Sequence, residues 1–283
     1  MRHILLLVPL VLFKLSSAAQ KSSDLKWVQY HLTNGLTVIL QSDANQPNLV
    51  VEAWINSGTS SDPAGKFGLA HFAEHATPYG FQNDTSKLNL FRQLRVNSNA
   101  QTRKDYVRYY TEIKPDGLDL ALQYTAERLR IDTSVLVDSF VEKHRINVLN
   151  EISRQESNAF FNATAASSRD AALFGTAHPY GHGVYGSVES NSSLSSLDLK
   201  HWFNHYLKAG NMALIVVGNF KVAQAKKLIA PYFETIPKGK KSRPHIAFEP
   251  MQPLGRIVPV PVQKNYAFLF WPGTSLQSTQ SAA

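Results

Sequence analysis

The sequence predicts an α+β domain, and three observations lead there. Strand-like runs come in hairpins. Helix-like runs follow one another instead of alternating regularly with strands. The composition is that of a packed chain: of 283 residues 43% are hydrophobic and 18% charged, with 15 Gly and 14 Pro. That balance excludes collagen-like, low-complexity and disordered classes, and the length suffices for a sizeable core.

The first nineteen residues read as a separate object. Met1-Arg2-His3 is a short basic start, Ile4 to Phe13 is an apolar run broken only by Pro9, and Ser16-Ser17-Ala18-Ala19 supplies small residues for cleavage. This is the three-part pattern of a secretory signal peptide, too short to span a bilayer. The expectation is a signal peptide over 1–19, one α+β domain over 20–273, and a loose tail over 274–283. The product would be soluble, periplasmic or secreted, and without a membrane span. Sequons at Asn83, Asn162 and Asn191 would matter only in a eukaryotic secretory pathway.

Along the rest of the chain the elements declare themselves in order. Trp27 to Leu32 and Leu36 to Gln41 alternate in the strand period around Asn34-Gly35, a strong hairpin signal. Leu49 to Ile55 is a third strand. Asp62-Pro63-Ala64-Gly65 is a turn, and a short helix runs from about Gly68 to Thr77, stopped by Pro78 and Gly80. Asp84 to Arg95 is helical. Tyr106 to Ile113, rich in Tyr and Val, is a strand. Pro115-Asp116 opens a helix to about Arg130, and Ser134 to Ser157 is a long helix with Phe140, Val141, Val148, Leu149 and Ile152 as apolar positions. His178-Pro179-Tyr180-Gly181 is a loop. Ser195 to Lys208 is a helix with a Trp202, Phe203, Tyr206, Leu207 stripe, Met212 to Val217 a buried strand, and Val222 to Phe233 a helix. A Pro-rich stretch over 250–261 leads to a last strand, Tyr266 to Trp271. No internal repeat and no linker divides the chain.

Several function classes are closed. With no cysteine, disulfides, thiolate nucleophiles and Cys-type metal sites are excluded. The net charge of +8 permits contact with nucleic acid or anionic membrane. However, no block of five like charges occurs, Lys238 to Arg243 reads as a solvated loop, and no nucleic-acid partner is expected. There is no Gly-x-Ser-x-Gly and no complete P-loop.

One constellation carries chemistry: His71-Phe72-Ala73-Glu74-His75. On a helix, residues four apart lie one turn apart on one face, so both imidazoles can reach one cation. Glu74 stands beside them, placed to accept a proton from a metal-bound water. About 0.01 such matches are expected by chance in a chain of this composition, so the motif is specific. Two further His pairs four apart, His178/His182 and His201/His205, have no such setting. The first spans a Pro-Gly loop, and the second reads as ordinary helix positions. A catalytic zinc takes three protein ligands and one water, so a third ligand is needed from His, Asp or Glu elsewhere. The long helix offers Glu142, His144, Glu151 and Glu156. Glu151 lies among Val148, Leu149 and Ile152, where an unpaired carboxylate is costly. His144, two turns before Glu151, is a candidate supporting group.

On these residues the chain resembles the insulinase/pitrilysin family of zinc metallopeptidases, which includes the mitochondrial processing peptidase. The resemblance is carried by Leu32-Thr33-Asn34-Gly35-Leu36, Gly58, Asp62-Pro63, Gly68 through His75, Asn99-Ala100 with Thr102 and Asp105, Val148 through Glu151, His178 through Gly181, Asn211-Met212 and Val216-Val217-Gly218. It implies a mixed, largely antiparallel sheet packed against helices. It implies zinc on His71, His75 and Glu151, with Glu74 as the base and a peptide as substrate. Asn99 and Ala100 match the edge strand that receives substrate backbone. His144 stands where the family usually has a second Glu supporting the site, and the segment after His75 lacks the usual Met and Gly-Thr. Only one half of the two-half family unit is spanned, which implies a homodimer or a heteromeric partner supplying the other half, or a chain shortened at its C-terminal end. The leading expectation is an exported zinc endopeptidase. The alternatives are a non-catalytic or weakly active partner subunit of the same fold and, from another class, a basic nucleic-acid or envelope-binding module.

Overall fold

The computed structural model describes residues 26–242, apart from 79, 82, 95 and 158–165. The expected leader over 1–19, the Asn162 sequon, the Pro-rich stretch, the strand Tyr266 to Trp271 and the tail over 274–283 lie outside the described residues.

Among the described residues six strands form one sheet: β1 (Trp27–His31), β2 (Thr37–Ser42), β3 (Leu49–Ile55), β4 (Asn97–Thr102), β5 (Val107–Ile113) and β6 (Met212–Gly218). Their order is β1-β2-β6-β3-β5-β4. The β2–β6 pair is parallel, with Val38 opposite Leu214, and every other pair is antiparallel. The sheet is therefore mixed and largely antiparallel. The β1–β2 hairpin turns at Asn34-Gly35, where Gly35 has φ +91°, a conformation that costs glycine little. The buried Asn34 side chain donates to the Phe233 and Ile236 carbonyls at 2.9 and 3.0 Å, docking the turn on the end of the last described helix.

Alternation decides the two faces. Val38, Leu40, Val51, Ala53, Tyr109 and Leu214 point inward and are at most 1% exposed, as the two-residue period requires. Against that face lie α1 (Leu69–Ala76), α3 (Leu118–Arg128) and α8 (Val222–Phe233). Further helices are α2 (Thr85–Gln93), α4 (Asp138–Ser157), α5 (Ala166–Phe174), α6 (Val188–Ser192) and α7 (Ser196–Tyr206). Helix α1 also packs on α4 and α7. A smaller cluster, Phe81, Phe91 and Tyr124, stacks beside it, with the Phe91 and Tyr124 rings 4.1 Å apart. Among the described residues no helix is long and apolar enough to cross a membrane.

Candidate metal centre

Helix α1 is short, and its start is built from outside. Gly68 precedes it at φ +94°, where an added Cβ would stand 2.6 Å from the Tyr185 carbonyl oxygen. The Asp62 carboxylate, from the preceding turn, accepts the Gly68 and Ala70 N–H groups at 2.8 and 2.9 Å. It thereby satisfies helix donors that have no partner within the helix. Leu69, Ala70, Phe72, Ala73 and Ala76 bury one side. His71 is buried too, at 4% exposure, while Glu74 and His75 are half-buried. At the other end the Thr77 hydroxyl donates to the Ala73 carbonyl at 2.9 Å and meets the Tyr109 hydroxyl at 2.8 Å.

Helix α4 brings the third donor. Val141, Val148 and Ile152 bury its apolar face. Buried Arg145 pins it: the guanidinium donates to the Leu194 carbonyl at 2.7 Å and to the Asn191 carbonyl, pairs with Glu142 at 3.0 Å, and stands 5.7 Å from the Phe72 ring centre on α1. One turn and a half further on, Glu151 reaches α1.

His71, His75 and Glu151 converge. The two Nε2 atoms are 3.3 Å apart, and Glu151 Oε2 is 3.0 Å from His75 Nε2 and 3.6 Å from His71 Nε2. Two donors each bound at zinc's usual 2.0–2.1 Å, with tetrahedral angles, stand about 3.3 Å apart, so this donor set fits the ion in spacing and in chemistry. It is the only group of three metal-type donors among the described residues. Hydrogen bonds from His71 and His75 hold the Glu151 carboxyl well below the usual carboxylate range, against the opposing pull of burial.

Glu74 does not join this triad. Its Oε2 accepts the Thr102 hydroxyl from the end of β4 at 2.5 Å. Asn99 and Ala100 lie on the same strand, at the sheet edge, opposite Tyr110 and Tyr109. The Ala100 N–H is met by the Asn99 side-chain oxygen at 2.9 Å, and the Asn99 carbonyl accepts from buried Arg128 at 3.3 Å. His144 is half-buried and lies tilted against the Phe140 ring, with ring centres 4.3 Å apart. Burial lowers its pKa, and a hydrogen bond to the His75 backbone pulls the other way. It touches the His75 main chain; among the described contacts none joins it to the Glu151 carboxylate. His201 and His205 lie exposed on α7, with His205 Nε2 2.7 Å from the Ser242 hydroxyl. His182 stacks on Phe67 at 3.4 Å.

Two groups at the centre escape sequence reading. Tyr185 presents its ring edge-on to His71, centres 4.8 Å apart, and its hydroxyl accepts from Gln155 at 3.4 Å. Burial and the Glu151 and Glu74 charges raise its pKa. Gln155 lies one turn beyond Glu151 on α4, so helical spacing gave the only signal for it. Tyr185 sits in a turn region with no periodicity.

A family model described as Insulinase (Peptidase family M16) matches residues 37–178, half of the chain, including Glu74 and all three converging donors. A second, described as Peptidase M16 inactive domain, matches residues 193–283, beyond all four residues. The beta subunit of the mitochondrial-processing peptidase from Blastocladiella emersonii is 27% identical over 214 residues, which are 74% of this chain and 44% of the relative. An uncharacterised zinc protease of Mycobacterium leprae is 26% identical over 232 residues, 80% of this chain and 49% of the relative. The solved first half of the periplasmic protease PqqL from Escherichia coli superposes with a TM-score of 0.66 at 19% identity, covering 78% of this chain and 48% of that one. The chain thus spans about half the length of the curated relatives it matches.

Proposed function

Because the chain belongs to the insulinase family of peptidases, M16, we propose that it is the metal-bearing half of a zinc-dependent endopeptidase acting on peptides or unfolded segments. The observation that carries this reading is the convergence of His71, His75 and Glu151 on one point with Glu74 beside it. A zinc ion held by those three side chains would supply a Lewis acid and lower the pKa of a water toward about 7. Glu74 is the base: its carboxylate takes a proton from the attacking water and returns it to the leaving nitrogen. Strand β4 offers an open edge, so an extended substrate can add as a further strand at Asn99 and Ala100. The Ala100 N–H, met in this structure by the Asn99 side chain, is a donor that a substrate carbonyl can take over. His144 supports the site through the His75 backbone.

The span of about half a relative supports a second feature. The complementary half, from a homodimer, a heteromeric partner or further residues of a longer chain, completes the chamber, and a half alone leaves the substrate poorly oriented and wet. The signal-peptide pattern of residues 1–19 supports export to the periplasm or beyond. The weakly active partner-subunit reading rests on the same half-length span.

One zinc per chain, measured by metal analysis, together with turnover of a peptide library that is lost in Glu74→Gln, tests the proposal. Metal-free protein after zinc loading, or undiminished hydrolysis by zinc-loaded Glu74→Gln, would overturn it. A monomer by light scattering with robust activity in the same fraction would refute the need for a second half.

A further inference from the structure

The hydroxyl at the end of the edge strand has a use that packing does not explain. Thr102 is 6% exposed, and its Oγ1 lies 2.5 Å from Glu74 Oε2. That is the short end of the range for a hydroxyl donating to a charged carboxylate. Among the described contacts nothing else donates to the Glu74 carboxylate, so one oxygen is tethered and Oε1 is left to exchange protons.

The tether is stiff on both sides. Thr is β-branched, and its χ1 is restricted. Its backbone pairs with Val107 on β5, and the turn that follows is closed by the Arg103 N–H donating to the Tyr106 carbonyl at 2.8 Å. That turn is in turn gripped by the Thr59 and Ser60 N–H groups, which donate to the Arg103 and Lys104 carbonyls at 3.1 and 2.8 Å. Gly58 permits the approach, since a Cβ there would stand 2.1 Å from the Arg103 carbonyl oxygen. Glu74 itself stands on a helix fixed at both ends, by Asp62 and by Thr77.

We propose that Thr102 is a positioning residue for catalysis: its hydroxyl holds the Glu74 carboxylate in one rotamer and ties the base to the strand that receives the substrate. This rests on the reading of Glu74 as the base. Asn99, Ala100 and Thr102 belong to one rigid strand, so a peptide added at Asn99 and Ala100 arrives in a fixed register with the Glu74 oxygen. The geometry also fixes which carboxylate oxygen works. Oε2 accepts the Thr102 proton throughout, and Oε1 takes the proton from water and gives it up again. Thr102 neither gains nor loses a proton in the cycle.

The test uses the full chain as zinc-loaded wild type, Thr102→Val, Thr102→Ser and Glu74→Gln, together with whatever second half activity requires. Thr102→Val is nearly isosteric and removes only the donor. It should keep one zinc and lower kcat by roughly 10- to 100-fold, as loss of an outer-shell partner does, with KM changed less than about twofold. Thr102→Ser should recover most of the lost rate. In the Glu74→Gln background, Thr102→Val should cost little more, because the base it positions is already gone. A Thr102→Val enzyme with wild-type kcat, or equal losses in Val and Ser variants, would overturn the proposal. A second readout does not need turnover: unfolding midpoints of Thr102→Val, Glu74→Ala and the double variant. The proposal expects the double variant to lose less than the two single losses added together, and additive midpoints would overturn it. A wild type that binds zinc and hydrolyses nothing would fail the reading of function alone, while the midpoints still decide whether Thr102 holds Glu74.

Discussion

At the scale of single residues, the four side chains at the centre divide into two jobs that substitution can separate. On the function proposed above, His71, His75 and Glu151 hold the metal and Glu74 moves a proton. Glu151→Gln removes the charge that both imidazoles face at 3.0 and 3.6 Å. It should strip most of the zinc, read as metal content after dialysis, and His71→Ala should do the same. Glu74→Gln should retain zinc and unfold at a similar temperature, while peptide turnover falls roughly 10²- to 10⁴-fold, the usual contribution of a general base. A Glu74→Gln protein that loses its metal would place this residue among the ligands instead. The contrast is visible in the partners: the Glu74 carboxylate is bonded to a hydroxyl, while the Glu151 carboxylate meets the His75 imidazole at 3.0 Å and faces that of His71 at 3.6 Å.

At the scale of elements, α1 depends on a residue outside it. Asp62 supplies the acceptor that Gly68 cannot, and it does so for two N–H groups. Asp62→Ala should lower stability by about 1–2 kcal/mol, as loss of a helix cap does, measured by urea unfolding. It should also weaken zinc binding, because His71 and His75 ride on the freed turn. How legible these elements were in the sequence follows from their chemistry. The β1–β2 hairpin declares itself through Asn34-Gly35, and α1 through its two stops. The His71 and His75 pairing follows from helical spacing alone. Strand β4 does not declare itself: Asn97-Ser98-Asn99-Ala100-Gln101-Thr102 contains one β-branched residue and no aromatic one, and it is a strand because β5 pairs it. Helix α4 begins at Asp138, later than the Ser134 that the sequence suggests, because Thr133–Val135 forms a separate 3-10 turn capped by Asp132. Helices α5 and α6, short and rich in Ser, carry no sequence signal that assigns them. The meeting of Glu151 with α1 is a matter of packing between residues far apart in the chain. Periodicity cannot report it, and the family resemblance was needed to choose Glu151 over Glu142, His144 and Glu156.

At the scale of the whole molecule, the core is built from side chains that carry no metal-ligand atoms. The sheet's inner face is buried by α1, α3 and α8 through residues such as Val38, Leu40, Phe72 and Leu122. Chelation should therefore leave the far-ultraviolet circular dichroism unchanged. Saturating zinc should raise the unfolding midpoint, with about 2.7 kcal/mol gained at a free concentration one hundred times the dissociation constant. Loss of secondary structure on chelation would mean that the ion organises the fold as well as the chemistry.

The central position of β6 has a consequence for biosynthesis. Strands β2 and β3 are consecutive in the chain yet do not pair, because Met212–Gly218 lies between them. A nascent chain emerging from the ribosome thus carries His71, His75 and Glu151 well before it carries the strand that joins the two parts of the sheet. Until that strand arrives, β2 and β3 expose unpaired edges, which invite chaperones or self-association. Arrested chains ending ahead of Met212 should be cut rapidly by protease and should not retain zinc. Chains released beyond Phe233 should resist the protease and hold the metal, because the late strand, not the metal motif, completes the site.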